Sequence, residues 1–147
     1  MAINTIIIAS DHAGFSQKQA LVAWLREQAY QVNDLGPEGE GRVDYPDYAA
    51  LVGRALVAGN ADVGILICGT GIGMAIAANK IAGVRAANIT DPVFAALARE
   101  HNDANVLALS GRFVDEATNR SIVETFLATP FSGGRHVGRL AKISALE

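Results

Sequence analysis

The sequence predicts an α/β fold: a Rossmann-like three-layer α/β/α sandwich on a five-stranded parallel sheet. Three observations predict it. Short apolar segments alternate with amphipathic ones five times along the 147 residues. That rhythm is the mark of βαβ units, in which each strand returns parallel to the last. The strands read as continuous apolar runs, as they must where helices cover both faces of the sheet. A glycine-rich turn, Cys68-Gly-Thr-Gly-Ile-Gly73, joins one such strand to a helix. The length fits a single domain, residues 1–147, with a C-terminal tail from about residue 130.

The elements follow in order. Thr5-Ile-Ile-Ile-Ala-Ser10 is β-branched and apolar, a buried strand. Phe15 to Ala29 has helical spacing, with Ala20, Leu21, Trp24, Leu25 and Ala29 on one face and Lys18, Arg26 and Glu27 as its polar residues. Gln31 to Leu35 is a weaker strand. Gly36 to Arg42 is a loop by composition. A helix begins near Pro46 and runs to about Ala58. Val63 to Ile67 is a strand, and the glycine turn leads into a helix through Met74, Ala77 and Ala78. Val84 to Ile89 is a fourth strand, Pro92 to Glu100 a helix, and Asn105 to Leu109 a fifth strand. Val114 to Ala128 is a helix that Pro130 ends. Ser132 to Arg139 reads as a loop before a short final helix. The order of the last two strands in the sheet is not encoded in these patterns.

Composition narrows the function. Half of the residues are hydrophobic and the formal net charge is −3, without a basic block. That argues against binding nucleic acid through phosphate neutralisation. No apolar run approaches the roughly 20 residues of a membrane span. The N-terminus has no charged segment followed by a long apolar one, as a signal peptide would. With a single cysteine, Cys68, there is no internal disulfide. The expectation is a soluble, cytoplasmic domain.

In open α/β sheets ligands bind beyond the carboxyl ends of the strands, near a topological switch point. Asp11 and His12 follow the first strand, Cys68, Gly69, Thr70 and Gly71 the third, and Arg112 the fifth. His101, Asn102 and Asp103 precede the fifth strand, and the tail adds Arg135, His136 and Arg139. The expectation is that these residues gather at one edge of the sheet. Each also has a structural reading: Asp11 as a helix cap, Asn102 and Asp103 as turn residues, Cys68 as a small core residue.

The glycine turn lacks the Gly-Lys-Ser/Thr of a nucleotide P-loop. Its glycines, Gly69, Gly71 and Gly73, fall at the first, third and fifth positions rather than the first, third and sixth of a dinucleotide fingerprint. What remains is a strand-to-helix turn with backbone N–H groups, suited to a phosphate or an oxyanion. A free thiol of pKa ~8.5 is only about 3% thiolate at pH 7. A helix N-terminus contributes roughly 0.3–1 kcal/mol toward the anion, and an imidazolium or arginine adds to it. The three histidines, His12, His101 and His136, lack the spacing of common zinc sites.

A set of motifs spans nearly the whole chain: Ser10-Asp-His-Ala-Gly14, Asp44-Tyr-Pro46, Cys68-Gly-Thr-Gly-Ile-Gly73, Ala78-Asn-Lys80, Gly83-Val-Arg-Ala86, Glu100 to Ala108, and Gly133-Gly-Arg-His136 with Arg139. Together they resemble the family of ribose-5-phosphate isomerase B, with its allose- and galactose-6-phosphate isomerase relatives. The resemblance implies aldose–ketose isomerisation of a sugar phosphate with neither metal nor redox cofactor. It implies a homodimer or dimer of dimers with shared sites, the C-terminal tail reaching a partner subunit. It implies Cys68 as the base moving a proton between C1 and C2, and Thr70 with the amides of Gly69, Gly71 and Gly73 steadying the enediolate. Asp11 and His101 would open the sugar ring, and Asn102 and Tyr45 would contact its hydroxyls. His12, Arg112, Arg135, His136 and Arg139 would hold the phosphate.

Two places depart from the family pattern: Pro37 where a small hydroxyl residue is common, and Phe94-Ala95 where Tyr and a small hydroxyl residue are usual. They bear on the choice between pentose and hexose phosphate. A hexose-6-phosphate isomerase and a non-catalytic sugar-phosphate-binding module remain open as alternatives.

Overall fold

The computed structural model describes residues 2–147. Five strands and six helices alternate: β1 (Thr5–Ser10), α1 (Phe15–Glu27), β2 (Gln31–Asp34), α2 (Tyr45–Val57), β3 (Val63–Cys68), α3 (Ile72–Ala78), β4 (Ala86–Asn88), α4 (Pro92–Asn102), β5 (Val106–Ser110), α5 (Glu116–Ala128) and α6 (Arg135–Ser144). All strand pairs are parallel, in the order β2-β1-β3-β5-β4. The order of the last two strands is thereby settled: β5 lies inside and β4 is a three-residue edge. The chain reverses its direction of winding between β1 and β3, so a switch point lies where Ser10 pairs with Ile67.

Strand alternation sends side chains to two cores. Ile6, Ile8, Ile65, Ile67, Leu107 and Leu109 pack with α1, α4 and α5. Ile7, Ala9, Leu66, Cys68, Val106 and Ala108 pack with α2 and α3. Every residue of β3 and β5 is buried, because these strands have neighbours on both edges and helices on both faces.

Several boundaries move. α1 stops at Glu27, and Ala29 takes a left-handed turn (φ 69°) in solvent instead of lying on the buried face. Lys18 is the larger surprise: it is 0% exposed. Its ammonium donates to Asp34 Oδ1 (2.8 Å), Asp34 Oδ2 (3.1 Å) and the Pro37 carbonyl (2.7 Å), which is what makes a buried charge tolerable. α4 runs two residues further than expected, so His101 and Asn102 are helical. The final helix starts earlier than expected, inside the segment read as a loop, and Arg135, His136 and Arg139 lie on it.

Candidate active site

At the carboxyl edge, three strand ends meet. Asp11 N–H donates to the Ile67 carbonyl (3.0 Å), which seats the first loop beside Cys68. Asp11 is buried, and its Oδ1 accepts the Gly14 N–H (3.0 Å), so one carboxylate oxygen closes the turn into α1. His12 Nδ1 accepts the Val43 N–H (3.3 Å), tying the loop before α2 to the β1 end. Tyr45, at the start of α2, lays its ring against Gly73, where a Cβ would collide with it.

The glycine turn is built around Cys68. The thiol is only 5% exposed, on the α2–α3 side of the sheet. The Gly71 N–H donates to Cys68 Sγ at 3.1 Å. This amide, which the resemblance assigns to the enediolate, points at the sulphur here. Gly71 is left-handed (φ 80°), and a side chain there would run into Asn88 and the Leu109 backbone. Thr70 is exposed and its Oγ1 accepts the Ile72 N–H (3.1 Å). Arg112 N–H donates to the Gly69 carbonyl (3.1 Å), and its guanidinium lies beside Gly69. Asp11, His12, Tyr45, Cys68, Gly69, Thr70, Gly71, Gly73 and Arg112 thus form one group.

The remaining candidates do not join them, which corrects the expectation of a single edge. Asn102 ends α4 and lines a cavity of about 740 Å³ with Val84, Arg85, Ala104 and Leu146, at the amino ends of β4 and β5. β5 alone, at about 3.3 Å per residue, puts roughly 13 Å between that edge and Cys68. The His101 and His136 rings stack at 4.5 Å, joining α4 to α6. Arg135 and Arg139 flank His136 on α6. Burial holds the His136 imidazole below the ordinary histidine range, and the charges of His101, Arg135 and Arg139 push the same way. The physical reason for the split is elementary. A helix that follows a strand's carboxyl end runs antiparallel to it, so its C-terminus returns to the amino edge. Asp103 has a structural task, pairing with Arg99 (2.9 Å) and Arg85 (3.3 Å) at the helix end.

Three supporting residues escaped the sequence reading. Asn88 Nδ2 donates to the Thr70 and Ala108 carbonyls (3.2 and 3.1 Å). Ser110 Oγ donates to the Gly69 carbonyl (2.8 Å) and accepts the Phe113 N–H (3.0 Å). Buried Asn119 donates to Gln17 Oε1 (2.7 Å) and the Ser110 carbonyl (2.9 Å). Polar residues ending apolar strands were the available signal for the first two. Pro37 takes part through its carbonyl, on Lys18. Phe94 is 59% exposed on α4, and Ala95 is in the core. Among the described residues no three His, Cys, Asp or Glu side chains converge as metal ligands, and no helix is long and apolar enough to cross a membrane.

The fold and sequence are shared with known proteins. A family model described as Ribose/Galactose Isomerase matches residues 6–143. The probable ribose-5-phosphate isomerase B of Mycoplasma pneumoniae is 51% identical over 98% of this chain and 95% of its own length. The ribose-5-phosphate isomerase B of Escherichia coli K12 is 46% identical over 99% of this chain and 97% of its own. The crystal structure of the Mycoplasma genitalium ribose-5-phosphate isomerase B with bound ribulose-5-phosphate superposes with a TM-score of 0.92 at 45% identity, covering 99% of this chain and 97% of that one. With a strand-end thiol, a glycine turn wrapped around it and a match over nearly its full length, the chain belongs to the ribose/galactose isomerase family.

Proposed function

We propose that the protein interconverts ribose 5-phosphate and ribulose 5-phosphate through an enediolate, with Cys68 as the base and no metal or redox cofactor. The observation that carries this reading is the Cys68–Gly71 contact beside the buried Asp11 loop. Isomerisation needs one base, donors for the oxyanion and little water. A sulphur that is 5% exposed meets the last condition. The thiolate takes the proton from C2 of the open-chain aldose, and the electron pair moves to the carbonyl oxygen on C1. The resulting enediolate is protonated at C1 by the same thiol, while a hydroxyl proton passes from the oxygen on C2 to the oxygen on C1. General-base catalysis of this kind contributes about 10²–10⁴-fold, and one oxyanion donor about 10²–10³-fold. Thr70 and the turn amides supply those donors, and Asp11 assists ring opening.

The site is completed by a second copy of the chain. His101, Asn102, Arg135, His136 and Arg139 lie at the edge opposite Cys68, so a partner presenting that edge would bring ring-opening and phosphate-binding groups to Asp11, His12 and Arg112. Exposed Val93, Phe94, Phe113 and Val137 favour such association. Remote binding of a dianionic phosphate then helps position the reacting carbons.

Initial rates with ribose 5-phosphate, allose 6-phosphate and galactose 6-phosphate, with and without a chelator, test the reading. Turnover of the pentose phosphate, indifferent to chelation, is expected. No turnover with any of the three, or loss of activity on chelation, would overturn it.

A further inference from the structure

We propose that Asn88 is a positioning residue that aims the Gly71 N–H at Cys68 through a single peptide group. The inference rests on the proposed role of Cys68 as a base, and adds how the turn keeps a donor against its sulphur. Asn88 ends the edge strand β4, where it pairs with Ala108 of β5. Its side-chain NH₂ has two hydrogens and two acceptors, the Ala108 carbonyl at 3.1 Å and the Thr70 carbonyl at 3.2 Å. The first acceptor is part of the sheet and gives the side chain a fixed base. The second belongs to the glycine turn.

The Thr70 carbonyl and the Gly71 N–H belong to one peptide group. That group is planar and trans, so its C=O and N–H point in opposite directions. Asn88 holds the oxygen on one side. The hydrogen is thereby directed to the other side, where Cys68 Sγ accepts it at 3.1 Å. The restraint matters because the next residue is glycine. Gly71, with φ at 80°, has no Cβ to oppose rotation of the peptide before it. A flipped Thr70–Gly71 peptide would turn a carbonyl oxygen toward the sulphur and repel a thiolate. Asn88 also fills the space a Gly71 side chain would need, so the two residues fit only as a pair.

Because Cys68 is the only cysteine, its ionisation is read directly from thiolate ultraviolet absorbance. In Asn88→Ala, and in Asn88→Leu, which keeps the volume without the donors, the thiolate absorbance at a given pH should fall below that of the wild type, because the Gly71 N–H no longer faces the sulphur. The kcat for ribose 5-phosphate at neutral pH should then fall about tenfold, the deficit closing at alkaline pH and KM changing little. Asn79→Ala is the control. Asn79 exchanges a similar pair of hydrogen bonds with Ala86 at the other end of β4 (2.9 and 2.7 Å). It should lower thermal stability comparably and leave the thiolate titration unmoved. A titration in the folded Asn88 variants that matches the wild type overturns the proposal, and so does an equal shift in Asn79→Ala. If the wild-type chain turns over no pentose phosphate, the proposed function fails, and the absorbance titration still decides the role of Asn88.

Discussion

Replacing Gly71 with alanine tests whether the glycine turn is held as tightly as its contacts imply. The residue is left-handed, with φ at 80°. A non-glycine residue there costs about 1–2 kcal/mol in conformational energy alone. The added methyl would also stand 2.9 Å from the Leu109 carbonyl carbon and 3.0 Å from its oxygen, and closer still to Asn88 Nδ2. The Leu109 atoms are backbone in a buried central strand, so the turn must move instead, at a cost of about 1–3 kcal/mol as in other overpacked sites. The total is about 2–5 kcal/mol. For 147 residues at about 2.1 cal/mol/K each, that is a fall in Tm of roughly 10 °C. Gly59→Ala, in the turn that ends α2, supplies the internal standard: its φ is 84°, but nothing lies within 4 Å of the new methyl. It should cost only the conformational part, about 3–6 °C. Thermal unfolding by circular dichroism measures both, alongside kcat. Equal Tm shifts for the two variants, with activity retained in Gly71→Ala, would refute the account of the turn.

Three further outcomes are expected. Lys18→Met leaves Asp34 without its buried partner. Because that carboxylate is a quarter exposed and can hydrate, the loss should sit at the low end of the range for broken buried pairs, about 3 kcal/mol, measured by urea denaturation. The Asn4 and Thr5 N–H groups, with the Thr5 hydroxyl, hold the Asp62 carboxyl below its usual value of 3.8. Its contribution is therefore present above that value and lost as pH falls through the lower folded-state value. Asp62→Asn should cost about 1 kcal/mol near neutrality, the exposed site limiting the effect, and the gap from wild type should close in strong acid. His136 is displaced in the same direction, at a higher pH: its folded state resists protonation, so wild-type Tm should decline as pH drops below about 6.5, and His136→Gln should flatten that decline.

The fold was legible because its signals are local. Apolar runs such as Val63 to Ile67 and the Gly-rich turn after them mark a buried strand and its exit without any knowledge of neighbours. The strand order was not, since whether β5 slips inside β4 depends on packing between helices distant in sequence. Lys18 misled for a related reason. A lysine in an amphipathic pattern reads as solvent-facing, and only the fold brings Asp34 and the Pro37 carbonyl to its ammonium. The candidate site shows the same division. Residues directly after a strand, such as Asp11, Cys68 and Arg112, were located by the strand itself. His101 stands at the other edge because a residue just before a strand in sequence lies one strand length from that strand's carboxyl end, and Arg135 follows it there because α6 packs on the end of α4 through the His101–His136 stack.

The central claim is that Cys68 carries the proton between C1 and C2. Wild type and Cys68→Ala should be compared with ribose 5-phosphate in D₂O, following ribulose 5-phosphate formation and deuterium at C1 by NMR. The wild-type chain should deliver solvent deuterium to C1. The variant should lose at least about 10²-fold in kcat with KM nearly unchanged. A folded Cys68→Ala protein that keeps near-normal kcat and the same deuterium incorporation would contradict the account.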